Sequence, residues 1–177
     1  HLYYDLGETL QAWHRALKPD ARIFVQSGNI RNAAARAGEW IIDETVDVIH
    51  RAAMKIARSR ARYAPYRAIL DDAPRMRDYD ALRAKYFIPV RPLDHYVDAL
   101  TSAGFSIEGV TTETIQARVD EWRDFVSVYH EGVLGWVGGA EKIESRAATA
   151  HAVSDRLALI GESMSSVFGR RDTFPCC

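Results

Sequence analysis

Cysteine is almost absent: the chain holds two, Cys176 and Cys177, side by side. Adjacent cysteines cannot build a disulfide framework, and a bridge between neighbours would be strained. A reducing cytoplasm is the expected setting, with both residues acting as small hydrophobes at the start of a buried strand. Long apolar runs are missing too, and none approaches the ~18 residues that a membrane span needs. His1 to Gln11 has no basic region followed by an apolar one, so no signal peptide is visible. The net charge is only −1, which leaves no global field to select nucleic acid. There is no Gly-x-Gly-x-x-Gly, no phosphate loop and no Cys-x-x-Cys. His1, His14, His50, His95, His130 and His151 never pair at metal-ligand spacing, so no metal site is expected. Ser163, Ser165 and Ser166 lie in a helical pattern rather than on a strand-to-helix elbow, which leaves a hydrolase nucleophile unsupported.

What is present is an ordinary globular composition. Hydrophobic residues make up 47% of the 177 and charged residues 27%, which excludes disordered, collagen-like and coiled-coil classes. Folding a chain of this length buries about 70% of the surface exposed when unfolded, enough for a core without staples. One domain, or one domain with an attached cap, is expected. The chain opens on His1 and closes on Thr173-Phe174-Pro175-Cys176-Cys177. Those ends read as a piece of a longer protein.

Leu6, Leu10, Trp13 and Leu17 form one apolar stripe at helical spacing, predicting a helix over 8–17. Lys18-Pro19-Asp20 stops it. Ala21 to Ser27, centred on Ile23-Phe24-Val25, reads as a short buried strand. A second unit of the same kind follows later: a helix over 93–103, a stop at Ala103-Gly104 and an alternating strand from Phe105 to Thr111. Between them, Ile42, Val46, Ile49, Ala53 and Ile56 predict a long amphipathic helix over about 37–60. Loops and one short helix, near 79–85, are expected after it. From Arg51 to Arg91 there are eleven basic residues against four acidic ones, a local balance of +7. Residues 112–168 read as mostly helical, with Ile115, Val119, Trp122, Val126 and Tyr129 on one stripe, and the last five residues as a third strand. The glycines from Gly132 to Gly139 follow a helix rather than a strand, so they predict a helix break and not a phosphate cradle.

Helix, stop and strand in that order is half of a parallel α/β crossover unit. Ligands of such sheets bind outside the carboxyl ends of the strands. His1, Tyr3 and Tyr4, just before the first helix, and Asn29 and Arg31, just after the first strand, are placed there. The basic insertion offers a lid for an acidic small molecule, or a surface for nucleic-acid phosphates. The apolar stripe from Ile42 to Ile56, and acid from Asp43, Glu44 and Asp47 on the same helix, favour the lid.

Leu10-x-x-Trp13-x-x-x-Leu17-Lys18-Pro19-Asp20-Ala21-Arg22-Ile23-Phe24-Val25 resembles the helix, Lys-Pro-Gly-Gly turn and fifth strand of class I S-adenosylmethionine-dependent methyltransferases, with Asp20-Ala21 in place of the glycines. Tyr96-Val97-x-x-Leu100-x-x-Ala103-Gly104-Phe105-Ser106-Ile107 is similar to the family's next helix, turn and sixth strand. Phe174-Pro175-Cys176-Cys177 resembles the beginning of the seventh. The match covers 2–25 and 95–110. It implies an α/β fold: the carboxyl half of a Rossmann-like sheet, from residues 1–30, 93–111 and 173–177. A helical cap insertion would span 31–92 and a helical extension 112–172. The implied function is methyl transfer from S-adenosylmethionine to a small-molecule acceptor, with His1 as candidate base and Tyr3, Tyr4, Asn29 and Arg31 as acceptor-binding residues. The family's glycine-rich cofactor loop has no counterpart here, so no cofactor-binding residue carries over, and the missing amino-terminal half becomes an expected partner. No membrane partner is expected. A basic helical module that binds nucleic acid or a protein is the alternative.

Overall fold

The computed structural model describes residues 5–28, 30–31, 33, 35–36, 38–88, 90–144 and 150–176. It is a mixed α and β structure, mostly helical, with two small two-stranded sheets. No helix among the described residues is long and apolar enough to cross a membrane.

Helix α1 spans Leu6–Ala16, and the Asp5 carboxylate caps it by accepting from the Glu8 backbone N–H at 2.8 Å. It ends where Lys18-Pro19-Asp20 requires, and Asp20 takes a left-handed φ of 62° in place of the glycine usual in such turns. After the two-residue strand β1 (Ile30–Arg31) comes α2 (Ile42–Ser59). It starts five residues later than the periodicity predicts. The backbone of Trp40 donates instead to the Pro175 carbonyl at 3.0 Å. A 3-10 turn (Ala61–Tyr66) leads into α3 (Arg67–Asp71) and α4 (Ala73–Tyr86). This stretch is more ordered than its irregular pattern implied. Strand β2 (Arg91–Pro92) pairs in parallel with β1, and α5 covers Leu93–Ser102.

The end of α5 is a Schellman cap. Gly104 has φ 96°, its N–H donates to Thr101 O, and that of Phe105 donates to Leu100 O, both at 3.0 Å. Residues 21–27 and 105–111, both expected as strands, belong to neither sheet. Ile23 and Phe105 are half-buried, Val25 and Ile107 are exposed, and Phe24 is 95% exposed. Their composition has the apolar content of strands, but a strand also needs a neighbour for its N–H and C=O groups. One surface ion pair joins the two segments, Arg22 to Glu108 at 3.3 Å.

The third expected strand does form, as β4 (Thr173–Cys176), but it pairs antiparallel with β3 (Ile115–Arg118), Ile115 opposite Cys176 and Arg118 opposite Thr173. Among the described residues, 21–27, 105–111 and 173–176 therefore do not form the expected parallel sheet. Ile115 belongs to a strand, and the helix of that stripe, α6, begins only at Val119 and ends at Val128. The short helices α7 (His130–Leu134) and α8 (Glu141–Glu144) and the long α9 (Ala150–Phe168) complete the chain.

The core lies among α2, α6, α7 and α9. Val46, Ile49, Ala53 and Ala57 recur along α2 and face Leu159, Ile160, Met164 and Phe168 of α9. Burying each large side chain contributes about 1.5–3 kcal/mol. Phe174 of β4 stacks on Phe168 with centroids 4.7 Å apart, sealing one end. Trp122 is buried and donates its indole N–H to Thr45 Oγ1 at 2.7 Å, so its polar atom is satisfied. The stretches 31–92 and 112–172 thus share one core, since α2 belongs to the first and α9 to the second. Leu10, Tyr96 and Ala103 are buried outside it, where α1 packs on α5.

Candidate functional site

A cleft of about 430 Å³ opens between α2 and α4, with α3 at one end. Both helices pack on α7. Asp47, His50, Arg51 and Met54 fall three and four residues apart, so α2 turns all of them to the cleft. On α4, Ala73, Met76, Arg77, Asp80 and Arg83 do the same. Leu70 and Asp71 of α3 close the end.

His50 forms the floor and is 4% exposed. The indole N–H of Trp136 donates to its Nε2 at 3.1 Å. Because an indole nitrogen only donates, Nε2 must accept, and the neutral ring carries its proton on Nδ1. Nη1 of Arg83 lies 3.1 Å from Nδ1 and 3.3 Å from Nε2. Burial first, and then the positive charges of Arg83 and Arg51, push the His50 pKa down to about 3. The ring is therefore neutral at physiological pH.

The charges of the insertion are largely committed. Arg58 pairs with Asp71 at 2.7 Å, and Arg83 with Asp80 at 2.8 Å and Asp47 at 3.3 Å. Arg60 reaches Glu162 at 3.1 Å, Arg62 reaches Asp155 at 2.8 Å, and Arg75 pairs with Glu144. Arg67 donates to the carbonyls of Ala57 and Arg60. Three of the balancing acids, Glu144, Asp155 and Glu162, come from α8 and α9, outside the segment whose charge looked unbalanced. Asp155 is the most engaged. Burial works to raise its pKa, but the Tyr66 hydroxyl at 2.7 Å and the Arg62 guanidinium outweigh it and hold the carboxyl below its ordinary value. Arg51 and Arg77, at the rim of the cleft, have no ion pair among the described residues.

The glycine-rich stretch after α7 is a helix break, as its position indicates. It wraps Arg156, whose side chain is fully buried. Nε donates to Val137 O at 2.8 Å and Nη2 to Gly139 O at 2.7 Å. Nη1 lies 2.9 Å from His130 Nδ1 and 3.7 Å from Glu131. A phosphate cradle presents backbone N–H groups. This loop presents carbonyls to a cation, the opposite polarity.

Of the residues singled out in the sequence, His1, Tyr3, Tyr4 and Asn29 lie outside the described residues. Arg31 is exposed in β1, pairs with Glu44 of α2 at 2.5 Å, and does not line the cleft. His50, Arg77 and Trp136 were not singled out. His50 carried a signal nonetheless: it is a polar residue beside Ile49 on the face of α2 that packs inward, where polar side chains are rarely found without a partner. Comparison of the chain with family models, with curated proteins and with solved structures finds no match.

Proposed function

We propose that this chain is the acceptor-binding half of a class I S-adenosylmethionine-dependent methyltransferase, acting in a reducing cytoplasm on a small molecule. The observation that carries the proposal is the juxtaposition of the two helix–stop–segment units. Helix α1 packs on α5, His14 stands edge-on to Phe105 with centroids 5.2 Å apart, and Arg22 meets Glu108. Units whose helices begin at Leu6 and Leu93 thus lie side by side, as the resemblance requires of consecutive crossover units. Both segments also keep apolar side chains open, Phe24, Val25, Ile107 and Val110, where further strands would add.

The described residues do not fit the cofactor. The glycine-rich loop after α7 spends its carbonyls on Arg156, and no glycine turn follows a strand among the described residues. The proposal therefore assigns the cofactor to an amino-terminal half preceding His1, and the acceptor to the helical part, where the α2–α4 cleft offers a concave site.

Two measurements test this. The 177-residue chain alone should show no micromolar affinity for S-adenosylmethionine by titration calorimetry. The product of the complete gene should bind it and become crosslinked to it under ultraviolet light. A complete product that fails to bind the cofactor overturns the proposal.

A further inference from the structure

We propose that the α2–α4 cleft binds a monoanionic carboxylate with an apolar body, the carboxylate held between Arg51 and Arg77. The inference deepens the acceptor assignment above and rests on it only for the identification of this ligand as the methyl acceptor.

Charge comes first. The cleft is lined by Arg51, Arg77 and Arg83 against Asp47, Asp71 and Asp80, and Arg58 from just outside pairs with Asp71. The lining alone is balanced, three against three, but Arg58 from outside it takes up Asp71, so the cleft together with this neighbour carries one positive charge in excess. A single carboxylate neutralises it. A cation would be repelled by the excess, and a doubly charged phosphate would overshoot it beside three carboxylates.

The excess has a definite location. Arg83 is held by Asp47 and Asp80, so it is not free to turn toward a ligand. Arg51 on α2 and Arg77 on α4 have no ion pair among the described residues and lie on opposite walls. Guanidinium groups match a carboxylate through paired N–H donors.

The rest of the lining is apolar. Met54 stands on the α2 wall, Met76 on the α4 wall, and Leu70 at the closed end. Methionine adapts to irregular ligands because its chain is unbranched and its sulfur polarisable. The floor is the neutral edge of His50, which adds no second charge. A volume of about 430 Å³ falls near the lower end of the ~300–1,000 Å³ that small-molecule pockets span. It suits a short fatty or aromatic acid.

The test is a two-dimensional NMR titration of the chain at low salt with octanoate, 1-octanol, acetate and inorganic phosphate as separate probes. Octanoate should give saturable shifts at the amides of Arg51, Met54, Met76 and Arg77. Octanol lacks the charge, acetate lacks the apolar body and phosphate has the wrong charge, so each should bind at least tenfold more weakly. Arg51→Gln with Arg77→Gln should weaken octanoate at least tenfold, and Lys55→Gln, on α2 but outside the cleft, should leave it unchanged. Both arginines are exposed, so the double variant should keep its fold; Arg77→Gln alone serves if it does not. No saturable octanoate binding, equal binding of any other probe, or an unchanged affinity in the arginine variants would each overturn the inference. Octanoate binding together with a complete gene product that binds no cofactor would retire the methyl-transfer proposal and leave this site standing.

Discussion

Replacing Arg156 with methionine should be among the most destabilising single substitutions in this molecule. Methionine keeps the length and apolar volume of the side chain while removing the guanidinium. Three acceptors lose their partner at once: the carbonyls of Val137 and Gly139, at 2.8 and 2.7 Å, and His130 Nδ1 at 2.9 Å. The half-buried Glu131, 3.7 Å away, also loses its counter-charge. Removing one partner of a buried charge costs about 3–5 kcal/mol, and each stranded buried acceptor alone costs about 1–3 kcal/mol. Because the carbonyls sit in one loop that can shift together, the lower end of the combined range, ~3–4 kcal/mol, is expected. That is a large part of the ~5–15 kcal/mol by which domains are stable, and it corresponds to a fall in Tm of roughly 6–16 °C for this chain length. Urea denaturation followed by circular dichroism measures it as a shift in midpoint at constant slope. A second readout follows from His130, whose pKa burial and then the Arg156 charge hold below its ordinary value. In the variant it should move up toward 6.5 in an NMR titration. A cost under ~1 kcal/mol, with His130 unmoved, would refute the view that Arg156 organises the glycine loop.

Three further outcomes can be measured by the same denaturation assay. Gly138→Ala should cost ~2 kcal/mol or more, because a Cβ there would stand 2.3 Å from that of Ala152 at a φ of 76°; Gly38→Ala, with φ 90° and nothing within 4 Å, should cost only the ~1–2 kcal/mol of backbone strain. His50 should make the protein acid-sensitive: its folded pKa of about 3 lies below the unfolded value near 6.5, so the unfolded state binds the extra proton in that window. Stability should therefore fall as pH drops, by about 2 kcal/mol from this group between pH 7 and 5, and His50→Gln should flatten that fall. Phe24→Ser should change stability by less than ~0.5 kcal/mol, whereas Phe174→Ala, at a fully buried site, should cost ~3–5 kcal/mol; equal costs would mean that the exposed segment is covered in solution.

What could be read from the sequence was what is decided locally. The α2 stripe, the Lys18-Pro19-Asp20 stop and the Ala103-Gly104 cap depend on neighbours within a turn or two, and all three are present in the structure. Partner choice was not legible. Ile23-Phe24-Val25 has strand composition, yet nothing within the segment specifies which strand should lie beside it, and no ladder forms there. Ile115 continues the spacing of Val119 and Trp122, so a helix was expected through it. The competing influence, pairing with Cys176, comes from sixty residues away. The charge excess of 51–91 fits the lid reading's expectation of a basic end solvated or paired with carboxylates, but which acids supply the pairing was not legible, because Glu144, Asp155 and Glu162 reach it only after folding. The cleft needs two helices side by side, and both pack on α7, a segment remote in sequence from α2 and α4.

The packing of α2 on α9 has a consequence for how the molecule is made. Ser59 ends the first helix and Ala150 begins the second, so roughly ninety residues must be added after α2 is complete before its partner starts to appear. At the ~5–20 residues per second of ribosomal synthesis, the Val46–Ile49–Ala53–Ala57 face lacks its α9 partner for about 5–20 s. Closing so long a loop adds an entropic barrier that short-range helix pairs avoid. During that interval the nascent chain displays an apolar helical stripe flanked by arginines, the kind of surface that holding chaperones and neighbouring nascent chains both compete to cover.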